Sequence, residues 1–173
     1  MMRRVRYLVA MSLDGFIAGP HGEADWIEND PEVDFAAIWA QFDTLLMGRR
    51  TYHAAVKRLG EKAFAGVAIM VFSRTMKPQD HTGVTVVSEL KADWIQTLKS
   101  QSGKDLWLMG GSSLFRSLLD VGCVDAVEVS VIPVLLGDGV PLLPPPYTPK
   151  KLKLRSHHVY RSGRVSLAYD VLS

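Results

Sequence analysis

The 173 residues carry 20 lysines and arginines against 18 aspartates and glutamates, with 47% apolar and 22% charged residues. That balance suits one globular domain, and a net charge of +2 argues against nucleic acid as a partner. One cysteine, Cys123, excludes an internal disulfide framework, and the uncharged stretches are far shorter than the roughly 20 residues that cross a bilayer. With no convincing cleavage site after the basic start, the expected setting is the cytoplasm, without a membrane partner.

In chain order, apolar and β-branched runs bounded by turn residues predict strands over 6–10, 44–47, 67–72, 84–87, 106–109, 126–132, 152–159 and 165–172. The last two read as a hairpin with Ser162-Gly163 at its tip. Between the strands lie helical patterns. Asp30-Pro31 offers an N-cap followed by proline, with Phe35, Ile38, Trp39 and Phe42 at helical spacing. A second helix follows Thr51. Ser88 is placed to cap a third, and Ser112 or Ser113 a fourth that Gly122 stops. Strands alternating with four helices and ending in a hairpin predict an α/β three-layer sandwich with a mostly parallel sheet of about eight strands, as one domain over 1–173.

Charge is unevenly spread. No lysine or arginine lies between Tyr7 and Gly48, yet eight acids do, crowded as Glu23, Asp25, Glu28, Asp30, Glu32 and Asp34. A site whose two halves meet ligands of different charge is one reading of that split, and a solvated acidic loop is the other. Phosphate-loop and nucleophile-elbow motifs are absent, and the histidines lack metal-ligand spacing, so no metal site is expected.

Two glycine-led helix starts carry the chemistry. In "LLMGRRTY" (45–52) an apolar strand ends at Gly48, and Arg49, Arg50 and Thr51 open a helix. First-turn N–H groups and the helix dipole favour an anion there, and arginine supplies a fork suited to phosphate. "LWLMGGSSLF" (106–115) repeats the pattern with Gly110, Gly111 and Ser112, and "VFSRT" places Ser73 and Arg74 at a third strand end. Three such ends suit a dinucleotide.

The segments "MGRRTY", "VFSR" and "LMGGSSLFRSLL", with "YLVAMSLDGFIA" before them and "VSVIPVLLGDGVPLL" after, resemble the dihydrofolate reductase superfamily. They look most like its bacterial branch related to the reductase (C-terminal) domain of the bifunctional riboflavin biosynthesis deaminase/reductase. The resemblance implies an NADPH-dependent reductase that passes a hydride to a small heterocyclic or carbonyl substrate, and a homodimer. It implies that Gly48, Arg49, Arg50 and Thr51 meet the cofactor phosphates. Phe72, Ser73 and Arg74 would follow the adenosine half, and Gly110, Gly111, Ser112, Leu114 and Phe115 the pyrophosphate and nicotinamide side. A cis peptide between Gly110 and Gly111 is also implied. For a catalytic acid the candidates are Asp34, which shares a helical face with Ile38, and Asp14 in the Asp14-Gly15 turn, with Glu32 behind them. Met109 stands where that branch typically has an acid before the paired glycines. Residues 12–26 are the candidate lid, and Phe35, Ile38 and Trp39 are either a substrate wall or core. The alternatives are a nucleotide-binding module with impaired catalysis, or a dimeric assembly protein on the same fold.

Overall fold

A computed structural model describes residues 2–172. Its strands are β1 (Val5–Ser12), β2 (Phe16–Ala18), β3 (Phe42–Gly48), β4 (Ala68–Phe72), β5 (Val84–Val87), β6 (Asp105–Gly110), β7 (Ala126–Ile132), β8 (Val140–Pro141), β9 (Leu152–Val159) and β10 (Val165–Val171). The α-helices are α1 (Phe35–Trp39), α2 (Arg49–Leu59), α3 (Ala92–Ser100) and α4 (Ser112–Asp120). Eight strands form one sheet in the order β5-β4-β3-β6-β1-β7-β10-β9. Its neighbours pair in parallel from β5 to β7, and β10 and β9 close it as an antiparallel hairpin.

Both faces of the central strands are covered, so β3 and β6 read as nearly unbroken apolar runs. One face packs Val5, Tyr7 and Leu108 against Ile95 of α3 and Phe115 and Leu118 of α4. The other packs Leu45, Met47 and Trp107 against Tyr52 of α2 and Trp39 of α1. The result is the three-layer sandwich expected from the pattern.

Four local readings change. The first helix starts at Phe35, not after Asp30, and Asp34 is its cap, its carboxylate accepting from the Ala37 amide at 2.9 Å. Asp30 is drawn elsewhere: it is buried, accepts from the Glu32 amide at 3.0 Å and from the Ser162 hydroxyl at 2.6 Å, and faces Arg164. A partner 132 residues away thus outweighs the local Asp-Pro signal. Ser88 caps nothing, since α3 begins after Lys91. At α4 the cap position belongs to Gly111, and neither serine makes a capping bond. Finally, β2 and β8 form a separate two-stranded sheet outside the predicted elements. Gly139 is required beside it, because a Cβ there would lie 2.2 Å from the Ala18 carbonyl oxygen.

Candidate active site

A cleft of 1640 Å³ opens between the sheet and the layer of α1 and α2. Its two halves are built by different means.

The basic half sits at the carboxyl ends of β3, β4 and β6. There α2 and α4 begin with Gly48 and Gly111 at their cap positions, and neither helix start has a side-chain acceptor or an acid in its first turn. First-turn amides are therefore left for a ligand. The two starts converge: a Cβ on Gly48 would lie 3.7 Å from the Gly111 nitrogen, and one on Gly111 would lie 3.4 Å from the Thr51 hydroxyl. The Gly110–Gly111 peptide is cis. Arg49, Arg50, Thr51, Ser73 and Leu114 line this half, with Gly48, Gly111, Ser112 and Phe72. A diphosphate fits these groups, since the gap between the glycines is bordered by amide donors, hydroxyls and guanidinium groups.

Three residues expected beside a cofactor are not among those lining this half. Phe115 is buried, its ring stacked on Tyr7 with centroids 3.8 Å apart, because this residue, four positions past the cap, turns into the core. Gly110 is buried at the end of β6, and Arg74 is exposed outside the lining. His53, which the sequence reading did not select, lines the basic half and neighbours Tyr52 and His81.

The sheet half is floored by rows of residues facing one side of β1, β7, β10 and β9. One row runs Ala10, Ser130, Ser166, His158, and the next runs Leu8, Glu128, Ala168, Ser156. Phe35, Ile38 and Trp39 form the opposing wall, and none of them is buried. Ile38 and Trp39 nonetheless pack against the core, Trp39 meeting the Trp107 ring edge-on at 4.9 Å. They are wall and packing at once.

Glu128 is the centre of this floor. Its carboxylate accepts two bonds from Arg6, at 2.7 and 2.8 Å, and one from Arg155 at 2.7 Å. Arg6 also donates to Gln41 at 2.9 Å and lies over the Phe42 ring. Burial alone would lower the Arg6 pKa. The Glu128 hydrogen bonds and charge outweigh it, with help from Asp105, so the guanidinium is held charged above its ordinary range. Glu128 and Glu28 are the acids lining the cleft among the described residues.

The acids proposed from sequence are placed otherwise. Asp34 caps α1 and does not line the cleft. Asp14 is tied to the loop after β7, accepting from Ser12 at 2.6 Å and from the Gly137 amide at 2.7 Å. The Ser12 bond first, then the amides of Gly137 and Leu136, hold its carboxyl below the usual range. Both carboxylates serve local structure. Glu32 pairs with Arg161 at the hairpin tip, 3.3 Å away.

Residues 19–34 cross over the cleft, with Pro20, His21, Ala24 and Ile27 among the lining. Their far end is strapped to the C-terminal hairpin. Arg164 donates to the Glu28 carbonyl at 2.7 Å, beside the Asp30–Ser162 bond. Trp26 does not line the cleft, its indole donating to the Glu23 carbonyl. Among the described residues no three of His, Cys, Asp and Glu are grouped to hold a metal ion, and no helix is long and apolar enough to cross a membrane.

Comparison with known proteins agrees with this architecture. The family model described as RibD C-terminal domain matches residues 3–167. The Bacillus subtilis (strain 168) uncharacterized protein YyaP is 32% identical over 178 residues, covering 96% of this chain and 94% of its own. A Shewanella sp. PV-4 protein named for riboflavin biosynthesis superposes with a TM-score of 0.84 at 26% identity, each chain fully covered. The Thermotoga maritima diaminohydroxyphosphoribosylaminopyrimidine deaminase/5-amino-6-(5-phosphoribosylamino)uracil reductase shares the fold at TM-score 0.70 and 18% identity, over 99% of this chain and 57% of that one. Dihydrofolate reductase from Enterococcus faecalis, complexed with NADP(H), shares it at TM-score 0.68 and 16% identity, with both chains fully covered.

Proposed function

The chain belongs to the RibD C-terminal domain family, and on that premise we propose that it is an NADPH-dependent reductase of a small heterocyclic or carbonyl substrate. The observation that carries this reading is the pair of converging helix starts at Gly48 and Gly111, both without side-chain acceptors and flanked by Arg49 and Arg50. Such a gap suits the pyrophosphate of a dinucleotide. Arg49, Arg50 and Ser73 are the groups for the charge of a 2′-phosphate, and the apolar Leu114 is suited to the nicotinamide side. When bound, the cofactor supplies a hydride from its nicotinamide ring.

The protein's part is to hold the acceptor flat between Phe35, Ile38 and Trp39 on one side and the Ser130–Ser166 row on the other. Reduction of a C=N or C=O bond also consumes a proton. With Asp14 and Asp34 engaged elsewhere, water entering the open cleft delivers it. The homodimer and the cytoplasmic setting belong to the same proposal, and light scattering reads the first of these.

The test is NADPH consumption by the purified protein against a panel of dihydropterins, aminouracils and small carbonyls, with product identified by mass. Stoichiometric oxidation of NADPH and gain of two hydrogens by one member is the expected result. Tight NADPH binding with no turnover on any member would favour the catalytically impaired nucleotide-binding module instead.

A further inference from the structure

The two halves of the cleft carry opposite electrostatics, and that difference bears on the substrate. In the basic half, Arg49, Arg50 and Arg58 line the cleft without a salt-bridge partner among the described residues. In the sheet half both lining guanidinium groups are engaged. Arg6 forks onto Glu128 and reaches Asp105, and Arg164 holds the Glu28 carbonyl and faces Asp30. No lysine lines the cleft. The remaining ionisable nitrogens on this side are those of His21, His157 and His158, and His158 stands edge-on to Tyr160 at 4.4 Å.

Carboxylates, by contrast, stand on both surfaces of that half. Glu128 lies in the floor with its side chain 12% exposed, and the crossing segment brings Glu28 into the lining, with no salt-bridge partner among the described residues. The hydroxyls of Ser130, Ser156 and Ser166 border the same floor and have no hydrogen-bond partner among the described residues. They are groups for recognising a neutral polar ring.

Resting on the reductase reading above, we propose that the sheet half takes an uncharged, unphosphorylated nitrogen heterocycle. An N–H edge of that ring donates to Glu128, while Arg6 and Arg155 act as positioning residues whose hydrogen bonds fix the carboxylate in the floor. A phosphate ester is disfavoured here, because its dianion would meet Glu128 and the acidic segment with no free guanidinium or ammonium to receive it. The substrate therefore differs from the phosphoribosylamino compound for which the Thermotoga maritima relative is named.

The experiment is calorimetric titration of the protein with NADP+ bound, using 5-amino-6-(ribosylamino)uracil and its 5′-phosphate, which differ only in the phosphate. The unphosphorylated compound is expected to bind about 10-fold tighter. Its affinity is expected to fall about 10- to 100-fold in Glu128→Gln, the scale of one charge-assisted hydrogen bond, with NADP+ affinity unchanged. Ser130→Ala, which leaves the Arg6–Glu128 network intact, is expected to lose about 2- to 10-fold. Equal or tighter binding of the phosphate ester overturns the proposal. So does Glu128→Gln that binds like the parent, or no binding of either compound with NADP+ in place. Failure to bind NADP+ at all is a separate outcome, which overturns the reductase reading and the proposal with it.

Discussion

The basic half and the sheet half of the cleft face one another but are made differently. The basic half is backbone: two helix starts, each within a few residues of the strand that feeds it, with glycines letting them converge. The sheet half is side chains from β1, β7, β9 and β10 that meet only because the strands pair. A site of the first kind depends first on its glycines, and the side chains beside them add to what the backbone provides. A site of the second kind rests on individual residues, and above all on the Arg6–Glu128 pair.

That contrast is broken most severely at Gly48. Gly48→Val is expected to weaken NADPH binding by at least ~100-fold, the scale of losing two charge-assisted hydrogen bonds as the branched side chain enters the gap. Fluorescence titration would show it, and the melting temperature should move little, since the backbone at Gly48 is extended and not left-handed. A loss of fold instead of affinity would say that the gap is structural.

Phe115→Ala sharpens the comparison from the other side. Although it belongs to a motif associated with cofactor binding, the ring is 3% exposed and stacked on Tyr7. The change is expected to cost about 3–5 kcal/mol of stability by denaturant unfolding. Leu114→Ala next to it should weaken NADPH without comparable loss of stability, because Leu114 lines the cleft. If the two variants exchanged these phenotypes, the assignment of that helix face would be wrong.

The smallest expected effect concerns the strap at Asp30. The Ser162 hydrogen bond first, then the Glu32 amide and the charge of Arg164, hold its carboxyl below the usual range. A depressed carboxylate contributes stability that is present above its unfolded-state pKa and lost as pH falls through the folded one. Acid titration of stability should therefore be flatter in Asp30→Asn than in the parent at pH values below the ordinary carboxylate range. Parallel curves would mean that the strap contributes nothing there.

How much of this was legible in the sequence follows the same division. The eight strands of the main sheet and all four helices leave local signals, and so do the glycine-led helix starts, because each lies within a run of about ten residues. The placing of Arg49, Arg50, Thr51 and Ser73 beside the cleft was readable for that reason. What depended on distant partners was not. Asp30 looks like a cap until Ser162 and Arg164 are folded against it. Glu128 sits as an unremarked acid in an apolar strand, and only its pairing opposite Leu8 and its bonds to Arg6 and Arg155 give it a place in the cleft. One signal was available: an ionisable residue alternating with valines on a strand otherwise suited to burial invites the question of its counter-ion. The short β2–β8 sheet, three residues against two, is below the length at which alternation is informative.

The reductase proposal stands on the two helix starts forming a cradle for a phosphorylated dinucleotide. Its most direct test is titration of the protein with NADPH and with NADH, followed by tryptophan fluorescence, in the parent and in Arg49→Ala. Saturable binding that favours NADPH is expected, with about a 10- to 100-fold loss in the variant, corresponding to one charge-assisted contact. Absence of binding by either nucleotide, or equal binding untouched by Arg49→Ala, would contradict it.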